Sequence, residues 1–240
     1  MSKEQFGAAL KACLAQEYPL ANTLLKECLQ SNYQFISRGA YLLTFSKKPD
    51  VVSTDDVKWL KAMSEKGNSY AQNSYGELFY FGLGVEKNYE EAVKWFRLSA
   101  EQGNSSGQNN LGWMYQNGFG VEKNYEEAVK WYRLSAEQGN SSGQTNLGYM
   151  YENGFGVDQD YEEAVKWYRL SAEQGNYDGQ ANLGYMYQYG FGVETDLNQA
   201  IRFYTLSAEQ GNSSCQNNLG WMYQNGFGVE KNYEEAVKWY

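Results

Sequence analysis

Three groups of residues in this chain have types and spacings that could do chemistry. The first is a Gly-x-Gly loop running into a helical pattern, Gly118-Phe119-Gly120-Val121, with counterparts at 82–85, 154–157, 190–193 and 226–229. Free backbone N–H groups beside a helix N-terminus can cradle a phosphate. No copy completes Gly-x-Gly-x-x-Gly or leads into Gly-Lys-Ser/Thr, and each follows a helix rather than a strand. A nucleotide site is normally built once, at a strand–helix turn, so five copies read as structural turns. The second group is the carboxylate pair Glu126-Glu127 and its equivalents. Adjacent helix positions diverge by about 100°, so the two side chains do not converge on one proton, and helix capping explains them better. The third is the cysteines, Cys13, Cys28 and Cys215. A hairpin turning near Pro19 would leave Cys13 and Cys28 roughly 7 Å out of level, poor geometry for a bridge. All three read as reduced, small apolar residues.

Histidine is absent, which excludes Ser-His-Asp and Cys-His catalysis and His-ligated metals. The reading is therefore of a non-enzyme without cofactor, catalytic residue or metal site. Residues 1–66 carry a net charge of +2 and residues 67–240 a net charge of −11. An acidic array repels phosphate backbones, so nucleic acid is excluded as a partner, and a basic or amphipathic protein would be steered toward it. The N-terminus has no apolar run of signal-peptide length and no apolar span of membrane length occurs. The expectation is a cytoplasmic protein without membrane insertion, with delivery by a non-standard secretion route left open.

These residues sit in a repeat. Trp95, Trp131, Trp167 and Trp239 are spaced in multiples of 36, with Phe203 in the missing place. The periodicity gives units at 67–102, 103–138, 139–174, 175–210 and a partial 211–240, which matches 103–132 at every position but one, Gly107 against Cys215. Trp59 stands 36 residues before Trp95 and marks 31–66 as a degenerate repeat. Residues 1–30 read as an N-terminal capping pair of helices. Each unit predicts two helices. In 103–138, Asn104 with Ser105 and Ser106 opens the first, whose packing face is Leu111, Met114 and Tyr115 with Gly107 and Gly112. Asn117-Gly118 ends it, Gly118 taking the positive φ. The second helix opens at Asn124, with Glu127 completing a capping-box pattern. Its polar stripe, Glu126, Lys130, Arg133 and Glu137, is narrow, and the remaining circumference is apolar. Such a helix must be sandwiched between neighbours, so the units stack.

The stretch "NNLGWMYQNGFGVEKNYEEAVKWYRLSAEQGN" resembles the Sel1-like repeat: Leu-Gly-x-x-Tyr, then Gly-x-Gly-Val, then Ala…Trp-Tyr and a closing Gly. The resemblance covers 67–240 five times and weakens back to about residue 31. It implies an all-α, tetratricopeptide-like fold, a right-handed α/α superhelical solenoid of helix-turn-helix repeats with a 36-residue period. It also implies a bacterial adaptor or scaffold. Ser135 stands at the first of the family's paired alanines. The cysteines that staple a secreted branch of the family are missing. Relatives associated with β-lactam binding or hydrolysis suggest an enzymatic alternative, but neither Ser-x-x-Lys nor Lys-Thr-Gly is present.

Where near-identical repeats differ, the difference points to function. Three first-helix columns vary at i, i+4 and i+7 spacing: Asn109, Thr145 and Asn217; Trp113, Tyr149, Tyr185 and Trp221; Gln116, Glu152, Gln188 and Gln224. First helices of α/α solenoids line the concave surface, so these residues are the candidate groove for an extended peptide or helix. The expected function is a protein–protein interaction module, with an inhibitor or immunity-type protein as its narrower form. The chain stops at Tyr240, short of a complete second helix, which leaves two expectations open: a piece of a longer array, or self-association through that end.

Overall fold

The computed structural model of the chain describes Val52 and residues 54–240. The expected capping pair at 1–30, Cys13, Cys28 and the first half of the degenerate repeat lie outside them. The described residues form eleven helices and no strand: α1 (Thr54–Glu65), α2 (Ser69–Phe81), α3 (Tyr89–Glu101), α4 (Ser105–Asn117), α5 (Tyr125–Glu137), α6 (Ser141–Asn153), α7 (Tyr161–Glu173), α8 (Tyr177–Tyr189), α9 (Leu197–Glu209), α10 (Ser213–Asn225) and α11 (Tyr233–Trp239). The helix α1 is the second half of the degenerate unit, with Trp59 in place. From α2 onward the even-numbered helices are first helices and the odd-numbered ones second helices. Contacts divide the chain after Ser99 into two compact units.

Local chemistry sets every boundary. Asn104 Oδ1 accepts the Gly107 N–H at 2.9 Å, and Asn124 Oδ1 accepts the Glu127 N–H at 2.9 Å. The capping box is only half made. The Asn124 N–H donates to the Tyr115 carbonyl at 3.0 Å, while the Glu127 carboxylate takes Lys130 Nζ at 3.3 Å. At the other end of α4, Gly118 adopts φ +71°, as a left-handed helix stop requires.

In the unit that begins at Ala100, each cluster of buried apolar side chains joins the second helix of one repeat to the first helix of the next. Ala128, Val129, Tyr132 and Ala136 of α5 meet Leu147 and Met150 of α6, with Trp167 behind them. The pattern recurs for α7 with α8 and for α9 with α10. Within a repeat, the two helices close on a glycine. A Cβ added to Gly148 would fall 2.7 Å from the Tyr168 ring, so Gly112, Gly148, Gly184 and Gly220 are sites of close approach, as the sequence predicts. First helices of successive repeats also touch directly, α4 with α6 and α6 with α8.

Polar groups are matched with the same regularity. Buried Ser135 donates to the Ser105 carbonyl at 2.7 Å, and Ser171 and Ser207 do likewise. The serine that replaces an alanine of the repeat pattern therefore ties the end of one helix to the start of its partner. Gln144 donates Nε2 to the Ala136 carbonyl of the preceding repeat at 3.2 Å and accepts Gln174 Nε2 of its own repeat at 2.7 Å. Gln180 holds the same two positions. In the unit that ends at Ser99, Leu60 of α1 packs with Ala71, Tyr75 and Leu78 of α2 and Trp95 of α3.

One expectation is corrected. The second helices are not apolar toward neighbours on every side: Leu134, Leu170 and Leu206 are exposed. Around α5, α7 and α9 the neighbouring first helices cover two flanks, and leucine projects from the remaining one.

Candidate interaction surface

A first helix buries Leu111 and Met114, and Trp113, between them in sequence but about 100° or more away from both around the helix, points away from that core. The same holds for its equivalents. Trp113, Tyr149, Tyr185 and Trp221 are 39%, 39%, 40% and 48% exposed, an unusual surface cost for four large rings. In the unit ending at Ser99, Glu77 takes this place; it is buried and accepts from Asn73 Nδ2 at 3.0 Å.

Ring contacts extend the column. In the third, fourth and fifth repeats the loop phenylalanine lies beside its own ladder residue: Tyr149 with Phe155 at 6.0 Å, Tyr185 with Phe191 at 5.9 Å, Trp221 with Phe227 at 5.4 Å. Phe155 and Phe191 also stack on Tyr125 and Tyr161 of the preceding repeat, at 4.8 and 5.0 Å. In the fourth repeat Tyr189 joins, 4.6 Å from Tyr185. Phe227 and Tyr189 belong to the exposed aromatic surface, whereas Phe155 and Phe191 are half-buried and join that surface to the core; the ladder columns alone do not reveal them. Their signal was an aromatic recurring in four of the five glycine-rich turns, Leu83 holding the place in the first.

The other two columns are partly spent on the fold. Tyr132, Tyr168, Tyr204 and Tyr240 donate their hydroxyls to Gln116, Glu152, Gln188 and Gln224 at 2.6, 2.5, 2.6 and 2.8 Å. Burial pushes the phenols of Tyr132 and Tyr168 well above the usual tyrosine range, with the charge of Glu152 adding to it at Tyr168. They stay neutral donors. Thr145 is buried and shares a 2.7 Å hydrogen bond with Ser171 Oγ. Asn109 accepts from Asn146 Nδ2 of the next repeat at 2.9 Å, and only Asn217 of that column is exposed. A fourth variable column, Asn117, Asn153 and Asn225, donates Nδ2 to the carbonyl of the ladder residue four positions earlier at 2.8–2.9 Å, so these side chains are spent on the last turn of their own helix.

The Gly-x-Gly loop is structural. The Gly118 and Phe119 N–H groups both donate to the Met114 carbonyl, at 2.9 and 3.1 Å, so they are spent on ending α4. The second glycine of the loop is where one repeat meets the last. A Cβ on Gly156 would lie 2.7 Å from the Glu126 nitrogen, and closer still to the Tyr125 carbonyl. Cys215 is buried with a free thiol that burial pushes up, as expected of an inert small residue. Among the described residues no group of three His, Cys, Asp or Glu could hold a metal, and no helix is long and apolar enough to cross a membrane.

The Sel1 repeat matches five times, at residues 69–104, 105–140, 141–176, 178–212 and 213–240. The chain belongs to the Sel1 repeat family. Among solved structures, this Sel1 array is similar to c5321, a protective antigen of uropathogenic Escherichia coli strains, with 36% identity and a TM-score of 0.70. That match covers 92% of this chain and 48% of the antigen, so the chain spans about half the antigen's length. A Sel1 repeat protein from Oxalobacter formigenes is 29% identical over 99% of this chain and 96% of its own, TM-score 0.75. Immunity protein PA5088 of Pseudomonas aeruginosa, 19% identical over 90% and 78%, TM-score 0.58, shares the fold. None of the curated proteins matches the chain. The neighbours are bacterial, and the all-helical solenoid implied by the sequence resemblance is the architecture of this Sel1 array.

Proposed function

We propose that this Sel1 array is a non-catalytic protein-interaction module. Its contact surface is the aromatic column Trp113, Tyr149, Tyr185 and Trp221, with the loop phenylalanines as its border. The carrying observation is the exposure of four large rings at a 36-residue interval on helices whose opposite faces are buried. Aromatic anchors presented at regular spacing suit an extended peptide or an amphipathic helix. Direct contact between successive first helices supports placing them on the inner, concave side. The acidic balance of the array favours a basic or amphipathic partner. Asn217 and Gln224, exposed beside Trp221, add polar contacts at that end.

A narrower form of this reading, a protein that neutralises one partner, is motivated by the fold shared with an immunity protein. Affinity capture followed by mass spectrometry tests both. Wild-type chain is expected to retain a partner that Trp113→Ala with Trp221→Ala loses while circular dichroism stays unchanged. Retention by the variant overturns the ladder as the contact surface, and unfolding of the variant makes the rings core. A β-lactam turnover screen addresses catalysis: hydrolysis abolished by one point change would sink the non-enzymatic reading.

A further inference from the structure

The fourth repeat departs from its neighbours on its second helix. Where α7 carries Glu163, Lys166 and Trp167, α9 carries Gln199, Arg202 and Phe203. All three changes meet at one cleft of about 730 Å³, lined by residues of α7 and α9 and by Tyr187 of α8, within the size range of ligand pockets. Inside it Tyr187 and Phe203 stack with centroids 5.9 Å apart and planes 4° from parallel. Each ring holds one guanidinium. Arg169 Nη2 donates to the Tyr187 hydroxyl at 3.1 Å, and the Arg202 guanidinium lies 5.4 Å from the centre of Phe203.

The charge balance of the cleft differs from that of its neighbours. In α7 the residue equivalent to Arg202 is Lys166, neutralised by Glu163 at 2.9 Å. The same pair recurs as Lys94 with Glu91, Lys130 with Glu127 and Lys238 with Glu235. In α9 the glutamate has become Gln199, which accepts from Arg202 Nη1 at 3.4 Å. Neither Arg169 nor Arg202 is ion-paired among the described residues. A guanidinium has five N–H donors, so most of theirs remain for a ligand. Two carboxylates share the lining. Asp196 caps α9 by accepting the Gln199 N–H at 3.0 Å, and Glu173 is exposed. The aromatic wall has changed too: Trp167 is 8% exposed, whereas Phe203 is a smaller, half-buried ring.

We propose that this cleft is a second recognition site, taking an acidic side chain of a partner polypeptide next to an apolar one. The carboxylate sits between Arg169 and Arg202, whose planar forks match it, and the apolar neighbour packs on the Tyr187–Phe203 stack and Leu206. A single negative charge fits better than a phosphate, because Glu173 and Asp196 repel a second one. The site draws on second helices α7 and α9 with Tyr187 of first helix α8, and it shares no residue with the aromatic ladder, so either can fail alone.

The test is an amide NMR titration of the full chain with the capped dipeptide N-acetyl-Leu-Asp-amide. Saturable shifts are expected in 169–175 and 196–206, weakened about tenfold by Arg202→Gln, the size of a lost charge-assisted bond. They should vanish in the triple change Gln199→Glu, Arg202→Lys and Phe203→Trp, which restores the residues that the third repeat already folds with. Should the triple variant lose its native spectrum, Arg202→Gln decides alone. The assignment is overturned by an absence of saturable shifts, by equal binding of N-acetyl-Leu-Asn-amide, by undiminished binding to the folded variants, or by inorganic phosphate binding more tightly at the same amides.

Discussion

Replacing Gly156 with alanine isolates what the second loop glycine does. Its φ is +70°, a region that costs an L-residue roughly 1–2 kcal/mol. The new carbon would also press on the Tyr125 carbonyl and stand 2.7 Å from the Glu126 nitrogen. Backbone cannot swing aside as a side-chain tip can, so the loop and the start of α5 must separate. Overpacking of that kind costs about 1–3 kcal/mol more. Gly175→Ala supplies the control: its φ is +82°, and nothing lies within 4 Å of an added Cβ. Strain alone then remains. The expected losses are about 2–5 kcal/mol for Gly156→Ala and about 1–2 kcal/mol for Gly175→Ala. Urea midpoints at matched m-values measure the difference. Because repeat arrays need not unfold as one, amide exchange at residues 125–129 should report the same loss locally. Equal midpoints, with unchanged exchange at the start of α5, would refute the reading that this glycine sets one repeat against the next.

Tyr168→Phe removes the donor to a carboxylate and should cost about 1.5–3 kcal/mol, against about 1 kcal/mol for Tyr132→Phe, whose acceptor is the neutral Gln116; chemical denaturation ranks the two, and the reverse order would contradict the charge argument. Asn124→Ala should lose about 1 kcal/mol through its cap, while Glu127→Ala should lose only a few tenths, since its exposed pair with Lys130 is worth little; thermal melts of both variants check this. Burial holds Tyr132, Tyr168 and Tyr204 above the ordinary tyrosine pKa. Below about pH 10 folded and unfolded chains bind the same phenolic protons, and above it the unfolded chain releases them first. Stability should therefore be flat through neutral pH and fall as pH rises past about 10, as an alkaline titration by circular dichroism would show.

Caps and turns were legible because each depends on residues within four positions of one another, and the period because near-identical residues recur 36 positions apart. Asn104, Gly118 and Asn124 do in the structure what their types imply. The column of Gln116, Glu152, Gln188 and Gln224 was harder. Its variation looks like partner specificity, yet each member accepts from a tyrosine 16 residues later. The clue was present: where that later residue is Phe96, without a hydroxyl, the column holds Tyr80 instead of an acceptor. Pairing across a helical hairpin, rather than along one helix, was needed to see it. Thr145 was misleading for a similar reason, since its hydroxyl is satisfied by Ser171 on the following helix. The exposure of Leu134 could not be read from its own helix, because nothing in a 36-residue period says which flank a neighbour leaves open. The ladder ring at Trp113 was placed on a surface from helical phase alone, because Leu111 and Met114 fix that phase on both sides.

The glutamine relay has a consequence for how such a chain can grow. Gln144 and Gln180 each give one hydrogen bond backward to the preceding repeat and take one from their own, so every added unit brings as many donors as it uses. A whole 36-residue block brings both halves of this pattern with it and can be copied into the array without stranding a buried amide. Residues 211–240 differ from 103–132 at one position only, the pattern that copying a block in phase leaves behind. The hydrogen-bond pattern of the interior thus makes one repeat the natural unit by which such an array lengthens.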